Sequence, residues 1–373
     1  MKIIALKTNL KNGLSVVERA TAENASLPIL KNILIKAENG KIRFTATNLE
    51  VGVNVFISGK VLEDGGITVP VGALANILSY SESERINLET EKNILFIKTD
   101  NYEAKIQGLS DEDFPTIPRV SGENLYLKIN GLVLKDALLK VLPAATISEI
   151  RPEISGILFD FQLTSFKFAA TDTFRLAEKT ILNKFETNMD KGFRVIVPLK
   201  AVQEVVRVFP DAQEILISVD SNQILFKNNE LEFMSRLIDG NYPDYTAVVP
   251  KEIETEMVVE KEYFLNALKL TSGFSTKNNE VRLKLSENQK VIEVYSSNQQ
   301  VGENRYLVPV KVQKNGFTEI VFNWRFMLDG LKLISSDKIF FGINSSLKPA
   351  VIKSGDDPSF FYILMPINLG QTQ

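Results

Sequence analysis

The sequence lacks two residue types on which much enzyme and metal chemistry depends, since its 373 residues include no Cys and no His. The absence of Cys excludes disulfides, thiolate nucleophiles and Cys-ligated zinc, and it fits a reducing compartment. The absence of His excludes Ser-His-Asp triads, Cys-His pairs and His-based metal sites. Chemistry based on carboxylates, Lys or Tyr stays open. We therefore expect no cofactor and no metal site, and catalysis becomes a less favoured function.

Long hydrophobic runs are also missing. No segment approaches the ~18 apolar residues of a membrane helix, and the apolar stretch Ile3–Leu6 is too short for a signal peptide. With 44% hydrophobic and 24% charged residues, the composition is that of a globular protein of two or three domains. The net charge of −3 argues against a surface covered in basic charge but does not exclude DNA binding. We expect a soluble cytoplasmic protein with no membrane partner.

A pattern of strand, helix and strand occurs three times along the chain. A β-rich run ends at Pro70, Pro198 and Asn323, and apolar residues follow four and eight positions later, which predicts one face of a helix. Pro is tolerated in a first helical turn, and Asn is a good N-cap. The apolar pairs are Leu74/Leu78, Val202/Val206 and Met327/Leu331, and the strands that follow contain Ile86–Leu88, Ile215–Ile217 and Ile339–Phe341.

The first half of each repeat is also similar. Asn39-Gly40 between two apolar runs is a strong hairpin signal. The sequence therefore predicts an α+β protein of three repeated domains, each with two helices and antiparallel sheets. The predicted first helices lie at 10–20, 133–145 and 264–274, polar turns at Thr47-Asn48, Thr171-Asp172 and Ser297-Asn298, domains at 1–121, 125–250 and 254–373, and linkers at 120–124 and 250–254.

Periodicity alone leaves two architectures open. One is a scaffold produced by duplication, and the other is a ring of six similar units from two chains, which would leave no free sheet edges. Cations recur on the predicted helices of all three domains, which favours sequence-independent contact with DNA phosphates. For any single Lys, a solvated helix face is the better explanation. The candidate DNA-facing residues are Lys7, Lys11, Lys135, Lys140, Lys200, Arg207, Lys269 and Lys332, with Arg19, Lys277 and Arg325 on the same helices.

Four passages in this order resemble the bacterial β sliding clamps along essentially the whole chain. They are Leu27–Asn32, Ala170–Leu176, Leu237–Tyr245 and Ile363–Leu369. The resemblance implies a head-to-tail homodimeric ring, with helices inside and sheets outside, that encircles double-stranded DNA without reading its sequence. It also implies that the chain is not an enzyme. The expected partners are a replicative polymerase subunit, an ATP-driven clamp loader and other proteins that carry a clamp-binding motif.

The resemblance further implies a hydrophobic pocket in which partner peptides insert Leu and Phe anchors. Without it, Ile363–Ile367 would be interpreted as a core strand, Arg175 as the partner of a structural carboxylate, and Tyr242–Tyr245 as a turn. The implied pocket residues are Ile154, Thr171, Thr173, Phe174, Arg175, Leu176, Pro243, Val248, Ile363, Leu364, Met365, Pro366 and Ile367.

The chain departs from the family pattern at several positions. Thr173-Phe174 stands where the family usually has Gly-His, so the preferred peptides are expected to differ. Ala247 and Asn24 replace basic residues, and Pro152-Glu153 replaces an aromatic pair associated with DNA contact. These departures leave the individual DNA contacts open.

An enzyme using a carboxylate cluster is a third hypothesis. Asp111-Glu112-Asp113 offers three carboxylates for a divalent metal, but adjacent acidic residues before Phe114-Pro115 are more typical of a solvated loop. Metal-dependent nuclease activity lost on Asp113→Ala would support this third hypothesis.

Overall fold

The computed structural model describes residues 1–22, 27–118, 120–121, 125–314 and 317–368. Within these ranges the chain forms antiparallel strands and a few α-helices, two in each predicted repeat, which confirms the α+β class. No helix in the described residues is both long and apolar enough to cross a bilayer. The α-helices are α1 (Lys7–Val17), α2 (Val71–Tyr80), α3 (Gly131–Val141), α4 (Leu199–Val208), α5 (Lys261–Ser272) and α6 (Trp324–Lys332).

The strands alternate with these helices along the chain. They are β1 (Lys2–Leu6), β2 (Asn32–Glu38), β3 (Lys41–Thr47), β4 (Val51–Ile57), β5 (Gly59–Glu63), β6 (Gly65–Pro70), β7 (Arg85–Glu91), β8 (Ile94–Lys98), β9 (Glu103–Gln107), β10 (Leu127–Asn130), β11 (Gly156–Gln162), β12 (Ser165–Thr171), β13 (Arg175–Leu182), β14 (Phe185–Thr187), β15 (Phe193–Pro198), β16 (Glu214–Val219), β17 (Gln223–Lys227), β18 (Leu231–Arg236), β19 (Thr255–Glu260), β20 (Glu280–Leu285), β21 (Val291–Asn298), β22 (Gly302–Lys314), β23 (Glu319–Asn323), β24 (Lys338–Ile343), β25 (Ala350–Ser354) and β26 (Phe360–Leu364).

The second helix of each repeat begins where the sequence predicts. Pro70 and Pro198 are the last residues of β6 and β15, one position before the helix and not inside its first turn. Asn323 is a true N-cap, because its Oδ1 accepts hydrogen bonds from the backbone N–H groups of Arg325 at 3.0 Å and Phe326 at 3.4 Å. The strand-to-helix junction is therefore a repeated element of the fold.

A tight turn follows the third strand of each repeat. In the first repeat, Asn48 Oδ1 accepts from the backbone N–H groups of Glu50 and Val51 at 3.0 and 2.8 Å. In the second, Asp172 Oδ1 accepts from Phe174 and Arg175, both at 3.0 Å. In the third, Asn298 Oδ1 accepts from Gln300 at 2.9 Å. An Asx side chain thus caps the turn each time.

The chain divides into two compact units. The first comprises Met1–Leu134, Lys184–Lys191 and Lys200–Ile238, and the second comprises Lys135–Asn183, Gly192–Leu199 and Asp239–Gln373. The central repeat contributes strands to both units: β10, β14 and β16 to β18 to the first, and β11 to β13 and β15 to the second.

The first unit holds two antiparallel sheets. Their strand orders are β5-β1-β7-β8-β9 and β14-β10-β16-β17-β18-β4-β3-β2-β6. The predicted hairpin joins β2 and β3, and Asn39 and Gly40 both have positive φ, at 52° and 75°. Helix α1 packs on β4 through a close approach at Gly13, where a Cβ would clash with Ile57. Buried Leu10 and Leu14 lie on the same helix face.

The second unit holds a single twelve-stranded sheet. Its order is β15-β11-β12-β13-β26-β25-β24-β19-β22-β21-β20-β23, with every pair antiparallel. One part of the core is a group of edge-to-face aromatic rings, in which the centroids of Phe159 and Phe168 lie 4.8 Å apart. Helices α5 and α6 pack against each other, and α6 contacts β26. Strand β26 contains Ile363 and Leu364 of the predicted C-terminal pocket strand, and Met365–Ile367 follow its end.

Candidate functional site

The predicted pocket is organised around the turn between β12 and β13. Asp172 caps this turn, and Thr171 Oγ1 donates to the carbonyl of Arg175 at 2.7 Å while accepting from the Thr173 N–H at 3.1 Å. Thr173 adopts a positive φ of 77°, which is uncommon for a non-glycine residue. The side chains of Thr171 and Asp172 therefore fix the backbone of this turn. Phe174 projects from it with 61% of its surface exposed.

Arg175 ties this turn to helix α6. Its Nε lies 2.9 Å from Asp172 Oδ2, and its NH1 lies 2.7 Å from Asp329 Oδ2. The guanidinium also lies over the Phe326 ring, 4.2 Å from the centroid. Burial opposes the charge, but nearby Tyr362 and the two carboxylates raise the pKa of Arg175, so it stays charged. The interpretation of Arg175 as the partner of structural carboxylates is confirmed.

The C-terminal strand lies directly beside this turn. In the ladder between β13 and β26, Arg175 is opposite Leu364 and Leu176 is opposite Ile363. The Met365 N–H donates to the carbonyl of Phe174 at 2.8 Å, so the pairing continues past the end of β26. The Ile367 N–H donates to the carbonyl of Val321 on β23 at 2.8 Å.

The segment that carries Pro243 and Val248 is anchored by two buried tyrosines. The Tyr245 hydroxyl donates to Glu178 Oε2 on β13 at 2.6 Å. Burial and the nearby Glu178 raise the pKa of Tyr245 above its ordinary value. Tyr242 packs edge-to-face on Tyr245, and Asp244 caps the 3₁₀ turn at Tyr245–Val248. The Tyr-Pro-Asp-Tyr passage is therefore a turn whose tyrosines are part of the core.

The predicted pocket residues fall into two groups by burial. Ile154, Leu176, Ile363 and Leu364 are at most 3% exposed, so they lie in the core beneath the surface. The others reach the surface to differing degrees. Phe174 and Val248 are 61% and 50% exposed, Thr173 is exposed, and Thr171, Arg175, Pro243, Met365, Pro366 and Ile367 are half-buried.

Sequence reasoning missed the side chains that fix the site from a distance. Asp329, Phe326 and Tyr362 surround Arg175, and Tyr362 also donates to the carbonyl of Phe326 at 3.1 Å. Nothing in the local sequence signals these contacts, because Asp329 lies in a different repeat from Arg175. Only Asp172, three positions before Arg175, offered a short-range signal.

Lys140 belongs to an ion-pair network in the second unit. Its Nζ lies 3.2 Å from Asp357 Oδ2, and Lys179 Nζ lies 2.8 Å from the same oxygen. Burial alone would raise the pKa of Asp357, but hydrogen bonds from Lys179, Ser359 and Lys140 outweigh it and lower that pKa. The Lys140 side chain is only 13% exposed. The structure therefore gives Lys140 a structural role instead of the expected solvated, DNA-facing one.

The other candidate DNA-facing cations differ in exposure. Lys7 is half-buried, and its Nζ donates to the carbonyl of Ser81 at 2.8 Å. Arg207 is exposed and lies 3.0 Å from Glu204. Lys135 is half-buried, and Lys11, Lys200, Lys269 and Lys332 are exposed, as are Arg19, Lys277 and Arg325.

The other singled-out positions are mostly surface features. The acidic run forms a 3₁₀ turn, Asp111–Asp113, capped by Ser110, and within the described ranges no three carboxylates are grouped to hold a metal ion. Pro152-Glu153 lies in another 3₁₀ turn, where Glu153 pairs with Arg151 at 3.1 Å. Ala247 is exposed. Asn24, part of the predicted linker (122–124) and residues 369–373 lie outside the described residues.

Comparisons with known proteins agree over nearly the whole chain. Models of the N-terminal, central and C-terminal domains of the DNA polymerase III beta subunit match residues 1–118, 128–244 and 246–368. A beta sliding clamp of Staphylococcus epidermidis is 27% identical over 366 residues, which cover 95% of this chain and 96% of that protein.

Solved structures share the fold at similar coverage. A crystal structure of the Pseudomonas aeruginosa DNA polymerase sliding clamp with ligand gives a TM-score of 0.92 at 26% identity, covering 99% of this chain and 100% of that one. The Bacillus subtilis DNA polymerase sliding clamp gives 0.93 at 24% identity, covering 99% of both chains. Since the family models span all three repeated segments, this chain belongs to the DNA polymerase III beta subunit family, that of the beta sliding clamps.

Proposed function

We propose that this chain is the subunit of a cytoplasmic DNA sliding clamp. Two chains join head to tail into a ring that encircles duplex DNA, and the ring gives the replicative polymerase its processivity. The protein tethers its partners without catalysing a reaction, and a separate clamp loader opens and closes the ring. The observation that carries this proposal is the match of three successive clamp-domain models to three repeated segments of one chain.

Free sheet edges support the head-to-tail ring. In the described part of the first unit, β9 pairs only with β8, so one side of Glu103–Gln107 has no strand partner. In the second unit, the first half of β22 (302–309) pairs with β21 on one side, whereas β19 pairs only with the last residues of β22. Among the described residues, the other side of this first half therefore has no strand partner. Unpaired edges attract further strands, and a closed head-to-tail assembly covers them.

An aromatic surface beside β9 supports the same contact. Tyr80 at the end of α2 is 83% exposed and Tyr102 before β9 is 47% exposed, and both line a cleft of about 410 Å³ with Ile77. Tyrosines exposed together beside an open strand are typical of a protein interface. We infer that this surface is part of the subunit contact.

Contact with DNA in this proposal is weak and independent of sequence. Topological linkage keeps the ring on DNA, so attraction to phosphates needs only scattered cations. The exposed Lys11, Lys200, Lys269 and Lys332 suit this role. Binding to short linear duplexes is therefore expected to be weak and to fall steeply as salt rises.

Partner peptides bind across the surface formed by the turn at 171–175, the segment at 243–248 and residues 365–367. Exposed Phe174 and Val248 and half-buried Met365 supply apolar contacts above a floor of buried aliphatic side chains. Apolar anchors in such a site supply most of the affinity. Arg175 is already bound to two carboxylates, so its main part is to hold the turn.

Substitution of Met365 tests the peptide site. We expect Met365→Ala to weaken a labelled peptide with Leu and Phe anchors about tenfold, because it removes one apolar contact, while the mass of the dimer stays unchanged. Fluorescence anisotropy measures the affinity. Met189→Ala is the matched control, since Met189 is also half-buried and lies outside the proposed site. Equal peptide affinity of the parent, Met365→Ala and Met189→Ala proteins would contradict this assignment of the peptide site.

The alternative is a scaffold that binds protein partners without encircling DNA, which the net charge of −3 suits equally well. Retention on DNA separates the two functions. A clamp assembled on closed circular DNA stays bound in high salt and leaves after the circle is cut. A scaffold shows the same salt-sensitive binding, or none, before and after cutting.

A further inference from the structure

A second cleft in the first unit has the features of a small-ligand site. It has a volume of about 320 Å³, and it lies between α1 and α4. This volume is near the lower end of the range for small-molecule sites, which begins at about 300 Å³. Its walls are mostly apolar: Val16, Ala20, Val51, Val53, Val208 and Phe233.

Positive charge dominates the polar part of this cleft. Arg19 and Lys200 both line it and are exposed. Among the described lining residues Glu204 alone is acidic, and its Oε1 already accepts from Arg207 NH1 at 3.0 Å. The net charge of these four side chains is therefore positive, and Arg207 contacts one of the two carboxylate oxygens of Glu204.

Arg19 is only loosely held in this arrangement. Its Nε lies 4.0 Å from Glu204 Oε2, which is too long for a hydrogen bond. That oxygen is buried and has no hydrogen-bond partner among the described residues. The Arg19 guanidinium, with 43% of its side chain exposed, can therefore turn toward another anion without breaking a hydrogen bond to Glu204.

We propose that this cleft binds a compact amphipathic carboxylate. The apolar body of the ligand, about the size of a benzene ring or a short alkyl chain, packs against the apolar wall that includes Val16 and Val208. Its carboxylate lies at the rim between Arg19 and Lys200, where charge-assisted hydrogen bonds are available. A cation of the same shape meets two like charges there. This site shares no residue with the proposed peptide surface and does not depend on the proposed clamp function.

Three probes of one shape and different charge test the proposal: benzoate, benzamide and benzylamine. Each is titrated into the intact protein, and amide chemical shifts are followed by two-dimensional NMR. We expect saturable shifts around the cleft with benzoate, at least tenfold weaker binding of benzamide, and no saturation with benzylamine.

Two substitutions locate the binding. Lys200→Gln removes one rim cation from an exposed position and is expected to weaken benzoate about five- to tenfold. Val16→Phe fills the cleft and is expected to abolish binding. Lys60→Gln, which changes another exposed Lys of the first unit, is the matched control and leaves the affinity unchanged.

Equal affinity for the three probes, or benzoate affinity that Lys200→Gln does not change, would overturn the proposal. So would the absence of saturation with benzoate at any accessible concentration. Since Lys200 is exposed, we expect Lys200→Gln to fold normally. This variant therefore tests the proposal even if Val16→Phe does not fold.

Discussion

Two neighbouring tyrosines show how a single hydroxyl contributes to this fold. Tyr242 and Tyr245 are both nearly buried, at 7% and 6% exposure, with ring centroids 6.2 Å apart. The Tyr245 hydroxyl donates to buried Glu178, whereas the Tyr242 hydroxyl has no hydrogen-bond partner among the described residues. Burial raises the pKa of Tyr242, and the nearby Thr171 backbone counters this only in part.

Replacement of each tyrosine by Phe is expected to change stability in opposite directions. Tyr242→Phe removes an unsatisfied buried group and should raise the free energy of unfolding by about 1 kcal/mol. Tyr245→Phe leaves Oε2 of Glu178 without its donor, while Thr180 Oγ1 still donates to Oε1, and it should lower the free energy of unfolding by about 1–3 kcal/mol. Urea denaturation measures both. A loss of stability in Tyr242→Phe would show that its hydroxyl has a partner after all.

Asp357 gives the second residue-scale prediction, which concerns pH. Its pKa is lowered in the folded protein, so the charged carboxylate stabilises the fold above the ordinary carboxyl pKa of about 3.9. This contribution is lost as the pH falls toward the lowered folded-state pKa, because a protonated Asp357 no longer pairs with Lys179 and Lys140.

The comparison with Asp357→Asn isolates this effect. The parent protein should be more stable than the variant near neutral pH, and the difference should shrink as the pH falls below about 4. Urea denaturation at a series of pH values measures the difference. A difference that stays constant across this range would contradict the assignment of the lowered pKa to Asp357.

At the scale of secondary-structure elements, helix α6 forms the support of the candidate site. It carries Asp329 and Phe326, which hold Arg175, and it packs on Tyr362 of β26 through Gly330. A Cβ at Gly330 would overlap the Tyr362 ring. Helix α6 and strand β26 are therefore closely packed against each other.

Gly→Ala substitutions in two helices test this packing. Gly330→Ala should lower the free energy of unfolding by about 1–3 kcal/mol, because it overpacks the contact with Tyr362. Gly72→Ala in α2 is the matched control, since nothing lies within 4 Å of a Cβ at that position. Ala has the higher helix propensity, so this variant should be as stable as the parent or slightly more stable. Calorimetry that finds both variants equally stable would contradict the close packing of α6.

Local sequence signals predicted the elements but not the contacts between them. Asn39-Gly40, the Asn323 cap and the apolar spacing at Leu74/Leu78 act within a few residues, so the hairpin, the cap and helix α2 were all predicted. The pairing of Arg175 with Asp329 depends on how distant segments meet, and no short pattern encodes that. The structural role of Lys140 was missed for the same reason, because Asp357 lies far along the chain.

At the scale of the whole molecule, the proposed assembly is a dimeric ring, which two chains of three repeats would build from six similar domains. Among the described residues, each chain has an open edge at β9 and another along the first half of β22. Tyr80→Asp should weaken dimerisation at least tenfold, since it would bury a charge in the proposed subunit contact. Sedimentation equilibrium measures the dimerisation constant. Ile150→Asp is the control, because Ile150 is 92% exposed and lies outside that surface. Equal dimerisation of both variants would place the contact elsewhere.

The most direct measurement of the central claim is negative-stain electron microscopy of the purified protein, at a concentration where light scattering gives the particle mass. A sliding clamp predicts six-lobed rings with an open centre and a mass twice the 41.8 kDa of one chain. Solid or elongated particles with the mass of a single chain at every concentration would contradict it.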